Sequence, residues 1–176
     1  TGYTHLIPTR ELLDNRLELM GMGTGALIIY IVGLIDDVWN LQPKQKLIGQ
    51  CIAAALAMQM GILISAVHLP IVGTIDLGWV GYPLTLFWFL GCMNALNMMD
   101  GLDGLAAGIA LVITITIFVI SLVYGNVLVM ILAAALSGSV LGFLFFNFHP
   151  ARIFLGDSGA MLLGFMISVL AILGAR

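Results

Sequence analysis

The sequence predicts an all-α integral membrane protein with about six transmembrane helices, forming one domain over residues 1–176. Hydrophobic residues make up 61% of the chain, charged residues only 9%, and the mean hydropathy is +1.14. A soluble domain is about 25% charged, and one of this size could not bury so much apolar surface. The apolar stretches approach 20 residues, which suits helices that cross a hydrocarbon core of roughly 30 Å. The sequence lacks the alternating strands of about ten residues that build membrane barrels.

Six apolar stretches define the predicted spans, in the order 21–35, 47–67, 84–99, 105–124, 127–148 and 160–173. The segment 68–83 is rich in Gly, Pro and β-branched residues, which is typical of a small external hairpin. Residues 1–20 mix basic and acidic side chains and are interpreted as an amphipathic interfacial stretch. The chain starts without Met, and we expect it to be part of a longer protein, lacking amino- and carboxy-terminal spans.

Five of the nine acidic residues lie in three short motifs, each at the end of a predicted span. Because successive spans alternate in direction, all three motifs share one side of the membrane. Carboxylates at such positions are costly unless they are paired, hydrated or metal-bound, so they indicate a functional site. The five residues are Asp36, Asp37, Asp100, Asp103 and Asp157.

The basic residues place this side in the cytoplasm. Lys44, Lys46 and Arg152 lie on the aspartate side, whereas the opposite loops between spans contain no Lys or Arg. Cytoplasmic loops carry the excess of Lys and Arg in membrane proteins. The net charge of −3 and the lack of a basic groove argue against a nucleic-acid partner.

The first motif contains the adjacent residues Asp36 and Asp37, in GLIDDVWN. Neighbouring helical side chains point about 100° apart, so one carboxylate can face a substrate or metal while the other accepts hydrogen bonds. A merely solvated acidic pair is the weaker interpretation, because the helix dipole disfavours negative charge at a carboxyl end.

The second motif, Asn94-x-x-Asn97-x-x-Asp100-x-x-Asp103, has three-residue steps that keep its side chains along one helix face. Amides within an apolar run need partners. For Asn94, an interhelical hydrogen bond and a functional role both stay open, whereas function is favoured for the other three. The stretch DGLDG lacks the ligand pattern of a calcium loop.

The third motif, FLGDSGA, places Asp157 at the start of a helix, where free backbone N–H groups predict an anion site. Asp157 could cap that helix. Beside four other acids, a metal-ligand role is favoured. Arg152 precedes the motif as a candidate phosphate clamp.

Five carboxylates brought close together would repel one another. A hard divalent cation resolves that repulsion, and Mg²⁺ typically binds one or two carboxylates, waters and phosphate oxygens. The acidic motifs, the basic side chains and the glycine-rich helix start therefore predict phosphoryl chemistry at the membrane surface.

At these motifs the sequence resembles the polyprenyl-phosphate sugar-1-phosphate transferase family. The resemblance rests on GLIDDVWNLQPKQKLIGQ at 33–50, NALNMMDGLDGLAAG at 94–108 and FNFHPARIFLGDSGAMLLG at 146–164. The residues of the last two stretches are more similar to the undecaprenyl-phosphate N-acetylglucosamine-1-phosphate transferase branch than to the phospho-N-acetylmuramoyl-pentapeptide transferase branch. The second branch stays the alternative.

The resemblance implies that a polyprenyl phosphate attacks the β-phosphorus of a UDP-sugar and releases UMP, as the first membrane step of a cell-envelope polymer. It implies Mg²⁺ as cofactor, with Mn²⁺ as an alternative. The implied partners are undecaprenyl phosphate, a UDP-N-acetylhexosamine and the bilayer of a bacterial cell membrane. A homodimer stays open.

The resemblance also implies roles for individual residues. Two pairs match the family's catalytic or nucleotide-side aspartates, one aspartate with a neighbouring amide matches its metal site, and one lysine matches a basic residue near its nucleotide site. Two further side chains are predicted from the motifs themselves to bind substrate. These are Asp36, Asp37, Asp100 and Asp103 as catalytic, Asp157 and Asn97 as metal-binding, and Lys46, Asn94 and Arg152 as substrate-binding.

The chemistry limits what the first aspartate pair needs to do. A phosphate monoester has its second pKa near 6, so a lipid phosphate is largely dianionic at pH 7 and hardly needs a strong base. Direct in-line attack is favoured, with one carboxylate orienting the lipid phosphate. An aspartyl-phosphate intermediate stays open.

Two other classes are weighed against this interpretation. An intramembrane prenyltransferase also uses Asp-rich motifs, but only DDVWN approaches the required pattern, and GDSG stays unexplained. An ion-coupled transporter should carry its acids near mid-membrane on broken helices, whereas here they lie at span ends.

Overall fold

The computed structural model describes residues 13–69 and 73–175, which form six long helices and one small hairpin. A short 3-10 turn at Gly78–Val80 leads from the hairpin into the third helix. The elements are α1 (Arg16–Trp39), α2 (Pro43–Gln59), β1 (Ala66–Leu69), β2 (Gly73–Asp76), α3 (Gly81–Met99), α4 (Leu105–Tyr124), α5 (Val127–Asn147) and α6 (Gly156–Gly174).

Four of these helices, α1, α4, α5 and α6, are long and apolar enough to cross a membrane. The predicted class, an all-α integral membrane protein, is therefore confirmed. The other two predicted spans also fall on helices, α2 and α3. The count of six crossings stays a prediction.

The predicted boundary of the second span was wrong. The helix α2 ends at Gln59 rather than at residue 67, because Gly61 adopts a φ of 101° and turns the chain toward the hairpin. The helix that carries the first predicted span extends beyond the start of that span, since Arg16 already lies in α1. The interfacial stretch expected at 1–20 otherwise falls mostly on residues 1–12, outside the described residues.

The predicted hairpin is present, with strands at Ala66–Leu69 and Gly73–Asp76, so it begins two residues before the start and ends seven residues before the end of the predicted segment 68–83. Its external location stays a prediction. Strands β1 and β2 pair antiparallel, with Ala66 opposite Asp76 and Leu69 opposite Gly73. All of β1 is exposed, and most of β2 is too. The hairpin follows the carboxyl end of α2 and therefore lies away from the acidic motifs.

The helix α6 is the centre of the molecule. It packs against α1, α3, α4 and α5, and its buried residues run along its length from Ala160 to Leu173. Phe165 of α6 stacks on Phe89 of α3, with ring centroids 5.2 Å apart. Since the Asp157 motif opens this central helix, the neighbouring helix ends meet at the same place.

Candidate functional site

The site lies where the carboxyl end of α1 meets the amino end of α6. A Cβ atom on Gly33 of α1 would lie 2.3 Å from the Cα atom of Ser158. No side chain fits in that space, so glycine is required for the two backbones to approach. This crossing brings the first and third acidic motifs together, although they are about 120 residues apart in the chain.

Lys46, in the first turn of α2, joins two of the predicted aspartates. Its Nζ atom lies 2.5 Å from Asp36 Oδ2 and 2.9 Å from Asp157 Oδ1. The Asp36 side chain is only 7% exposed, and it also accepts the Leu41 backbone N–H at 2.8 Å. Lys46 therefore holds two carboxylates in one charged group and cancels part of their mutual repulsion.

The neighbouring carboxylate, Asp37, has different partners. Its Oδ1 accepts the Asp157 backbone N–H at 2.7 Å, and its Oδ2 accepts the Ser158 N–H at 3.2 Å. These donors belong to the first turn of α6, whose N–H groups have no partner within the helix. The N–H groups that were predicted to be free for an anion are therefore bonded to the carboxylate of Asp37. The alternative that Asp157 caps the helix is also corrected, because Asp37 is the side chain bound there.

Asp100 follows the end of α3 and faces the same helix start. It accepts a hydrogen bond from the Gly156 backbone. Burial raises the pKa of its carboxyl group from 3.8 to about 6, the Gly156 bond opposes that rise, and the charges of Asp157 and Asp37 add to it. The structure thus brings four of the five predicted aspartates together around the amino end of α6.

The fifth, Asp103, has its partners in the loop before α6. Its Oδ2 accepts the Ala151 backbone N–H at 3.1 Å and lies 3.0 Å from Nδ1 of His149, and these bonds lower its pKa. Buried Asn147 joins the same two loops, because it accepts the Gly104 N–H and donates to the Ile153 carbonyl. In the structure Asp103 fastens one loop to another, and its catalytic role stays a prediction.

Asn94 lies in an interhelical amide pair. Its Nδ2 donates to Gln50 Oε1 at 2.9 Å and to the Leu90 carbonyl at 2.8 Å. Gln50 is fully buried in α2, and it was not among the predicted site residues. The geometry supports the interhelical alternative for Asn94, while a substrate-binding role stays a prediction. The rule that an amide within an apolar run needs a partner also applies to Gln50 and Asn147, and it could have found both.

One amide oxygen at this end of α3 has no hydrogen-bond partner among the described residues. Asn97 Oδ1 is buried and accepts no hydrogen bond from the described residues, although a buried acceptor normally has a partner. The residue lies in the last turn of α3, three positions before Asp100. An orphaned amide oxygen near carboxylates suits Mg²⁺, which prefers oxygen ligands.

The described residues contain no group of three or more His, Cys, Asp or Glu side chains that could hold a metal. Mg²⁺ is commonly held by one or two carboxylates together with waters and substrate phosphates. Asp157 and Asn97 therefore fit this ion by the chemistry of their oxygen atoms, and their metal-binding role stays a prediction.

Arg152 is exposed and borders an open cleft of about 760 Å³ at the carboxyl end of α5. The cleft is otherwise mostly apolar, with Leu141, Leu144 and Phe145 among its lining residues. Its position on the same end of the molecule as the acids agrees with the sequence analysis. The phosphate-clamp role stays a prediction.

Comparison with known proteins connects this geometry to a family. The family model for glycosyl transferase family 4 matches residues 19–175. The chain is 44% identical over 158 residues to the probable undecaprenyl-phosphate N-acetylglucosaminyl 1-phosphate transferase of Bacillus subtilis (strain 168), covering 89% of this chain and 44% of that protein.

Two other relatives act as further points of comparison by their names. The decaprenyl-phosphate N-acetylglucosaminephosphotransferase of Mycolicibacterium smegmatis is 44% identical over 151 residues, which cover 80% of this chain and 37% of that protein. The phospho-N-acetylmuramoyl-pentapeptide-transferase of Halalkalibacterium halodurans is 40% identical over 173 residues, which cover 91% of this chain and 51% of that protein. The chain thus spans about half the length, or less, of these relatives.

The family match covers all three acidic motifs and the helices that carry them. The resemblance predicted from residues 33–50, 94–108 and 146–164 is confirmed. The chain belongs to glycosyl transferase family 4.

Proposed function

We propose that the protein transfers N-acetylglucosamine-1-phosphate from UDP-N-acetylglucosamine to undecaprenyl phosphate and releases UMP. The reaction takes place at the cytoplasmic face of a bacterial cell membrane and begins the synthesis of a cell-envelope polymer. Family membership and the names of the Bacillus and Mycolicibacterium relatives, which specify N-acetylglucosamine and a polyprenyl phosphate, support this proposal.

The observation that carries the proposal is the group of charges at the amino end of α6. Lys46 bridges Asp36 and Asp157 there, and Asp37 binds the helix N–H groups. Phosphoryl transfer between two anionic substrates depends on positioning and on neutralising charge rather than on covalent chemistry by the protein. A fixed cation between carboxylates, at the end of membrane helices, supplies that setting.

Asp157 and Asn97 would hold Mg²⁺, or Mn²⁺ in its place. The bound ion would neutralise charge on the diphosphate and on the departing nucleotide. Lys46 would orient the same phosphates by charge, and buried Asp36 would keep its ammonium group in place. Asp100, whose pKa burial raises to about 6, adds a carboxylate that readily accepts a proton or a cation.

The reaction balances without a strong base. A lipid phosphate oxygen attacks the β-phosphorus of the UDP-sugar, a new P–O bond forms, and the bond between that phosphorus and the UMP oxygen breaks. UMP leaves with the electron pair. Because the lipid phosphate is largely dianionic at pH 7, the protein's contribution is in-line alignment of the two substrates and charge neutralisation.

A second candidate is transfer of phospho-N-acetylmuramoyl-pentapeptide. The Halalkalibacterium relative carries that name, and it is nearly as similar, at 40% identity. The reacting phosphates are the same in both reactions, so the acidic site serves either one. The donor sugar nucleotide separates the two candidates.

The test uses the full-length protein in detergent with undecaprenyl phosphate and radiolabelled UDP-N-acetylglucosamine. We expect lipid-linked label with Mg²⁺ and none with EDTA. Asp157→Asn should lower the rate by at least about a hundredfold, since it removes a carboxylate oxygen from the metal site. Asp76→Asn is the matched control, because Asp76 is an exposed carboxylate on the distant hairpin, and it should keep the wild-type rate.

Each other outcome has a defined meaning. Labelling only with UDP-N-acetylmuramoyl-pentapeptide would assign the protein to the second candidate. Equal loss of activity in Asp157→Asn and Asp76→Asn would remove the special role of the α6 site. No labelling with any sugar nucleotide would contradict the proposed transfer reaction.

A further inference from the structure

We propose that Asp37 is a positioning residue, which fixes the metal-binding carboxylate of Asp157 by capping α6 from the end of α1. This inference deepens the proposed function, because it rests on Asp157 holding the metal ion. It gives Asp37 a different role from its neighbour Asp36, although both lie in one motif and both were expected to be catalytic.

The first argument is the pair of hydrogen bonds. Both carboxylate oxygens of Asp37 accept N–H groups of α6, from Asp157 at 2.7 Å and from Ser158 at 3.2 Å. An acidic side chain at a helix start is stabilised by the hydrogen bonds and by the helix dipole. No side chain of the α6 segment itself caps the helix, since the residue at its cap position, Leu155, makes no such bond.

The second argument is the space left for this contact. Gly33 lies one helical turn before Asp37 and allows α1 to touch the Ser158 backbone. Gly156 has a φ of 68°, and a Cβ atom there would lie 3.1 Å from both oxygens of Asp37. Gly33 and Gly156 thus leave the space in which the Asp37 carboxylate contacts the start of α6.

The third argument is that Asp36 and Asp37 hold different parts of Asp157. Asp36 is buried and ion-paired with Lys46, which also binds the Asp157 side chain. The backbone of Asp157 is therefore held by Asp37, and its side chain is held through Asp36 and Lys46. With both oxygens of Asp37 bonded to α6, its carboxylate is committed to the helix rather than to an attacking phosphate.

The test measures backbone protection and metal binding in the full-length protein in lipid nanodiscs. Hydrogen exchange of the Asp157 and Ser158 amides reports the two bonds directly. We expect Asp37→Ala to speed this exchange on the order of tenfold. Asp37→Asn, which is nearly isosteric and keeps one acceptor oxygen, should give a smaller increase. Asp76→Asn should give none.

Mn²⁺ binding, followed by electron paramagnetic resonance, reports the effect on the metal site. Loss of a residue that orients a metal ligand lowers metal affinity about tenfold or more. We expect the Kd for Mn²⁺ to rise in the order wild type, Asp37→Asn, Asp37→Ala, with the largest rise in Asp157→Asn. Transfer activity at saturating Mn²⁺ should recover in Asp37→Asn.

Unchanged exchange in both Asp37 variants would overturn the inference, as would a wild-type Kd for Mn²⁺ in them or no Mn²⁺ binding by the wild type. Equal inactivity of Asp37→Asn and Asp37→Ala at saturating Mn²⁺ would overturn it in favour of a catalytic role. Exchange and Mn²⁺ titration need no turnover. A wild type that fails to transfer sugar would therefore contradict the proposed function and leave the decision on Asp37 to these two measurements.

Discussion

At the scale of single residues, adjacent positions in one motif do different things. Asp36 points into the protein and pairs with Lys46, whereas Asp37 is exposed and caps α6. The roughly 100° between neighbouring helical side chains makes this possible. Substitutions at the two positions should therefore have distinct effects, even though both remove one negative charge.

The Asp36–Lys46 pair yields a prediction about stability. Lys46→Met should destabilise the protein by about 3 kcal/mol, because it leaves the buried Asp36 carboxylate without its cation. Adding Asp36→Asn removes that unpaired charge, so the double variant should unfold at a higher temperature than Lys46→Met alone. Thermal unfolding in detergent measures both.

The control for this pair is Lys44→Met. Lys44 is exposed, two residues before Lys46 on the same helix, and its loss should change the unfolding temperature little. Additive losses in the double variant would show that Asp36 and Lys46 do not interact in the protein.

At the scale of elements, the crossing of α1 with α6 builds the site. Gly33 sets the distance between the two helices, because a Cβ atom there would lie 2.3 Å from Ser158 Cα. That contact is with backbone, which has no rotamer to change. The helices themselves must therefore move apart if the glycine is replaced.

Gly33→Ala should destabilise the protein by about 1–3 kcal/mol and lower transfer activity more than tenfold, since a 1 Å misplacement of reacting groups can cost about a hundredfold. Gly23→Ala is the matched control on the same helix, because a Cβ atom at Gly23 meets no atom of residues 13–69 and 73–175 within 4 Å. It should keep wild-type activity and stability. Wild-type transfer by Gly33→Ala would show that the α1–α6 distance does not govern the site.

The ends of the helices show where local sequence patterns predict an element boundary and where they do not. The span predicted at 105–124 coincides with α4, because Gly104 and Gly125 both adopt positive φ at its ends. The second span was predicted too long. Residues 60–67 are more apolar than α2 itself, so hydropathy alone does not reveal that Gly61 ends the helix and that β1 begins at Ala66.

At the scale of the whole molecule, the acidic motifs lie at one end of the helices and the hairpin at the other. The proposed orientation places the acidic end in the cytoplasm. With a membrane-impermeant maleimide and intact cells, Asp76→Cys on the hairpin should be labelled. Lys44→Cys should be labelled only after the cells are opened.

The unsubstituted protein provides the background for this experiment, since its own Cys51 and Cys92 are half-buried within helices. The reverse pattern, with Lys44→Cys labelled in intact cells, would place the acidic site outside and contradict the proposed use of a cytoplasmic sugar nucleotide. Labelling of both positions in intact cells would contradict the predicted alternation of the spans.

The sequence by itself determined the membrane class, the helical architecture and the family. These follow from composition, from apolar stretches and from three motifs whose residues are neighbours in the chain. It also indicated that the five aspartates share one side, because each motif lies beside the start or the end of a span and successive spans alternate in direction.

Only the tertiary structure decided which groups meet. Lys46 and Asp157 are 111 residues apart, and Asp37 and Asp157 are 120 apart. Their contacts depend on how closely α1 and α2 approach α6, and that approach is set by Gly33 and by packing around a central helix. Local patterns carry no information about those distances. For the same reason, the Gln50–Asn94 pair and the Asp103 loop contact emerged only from the folded chain.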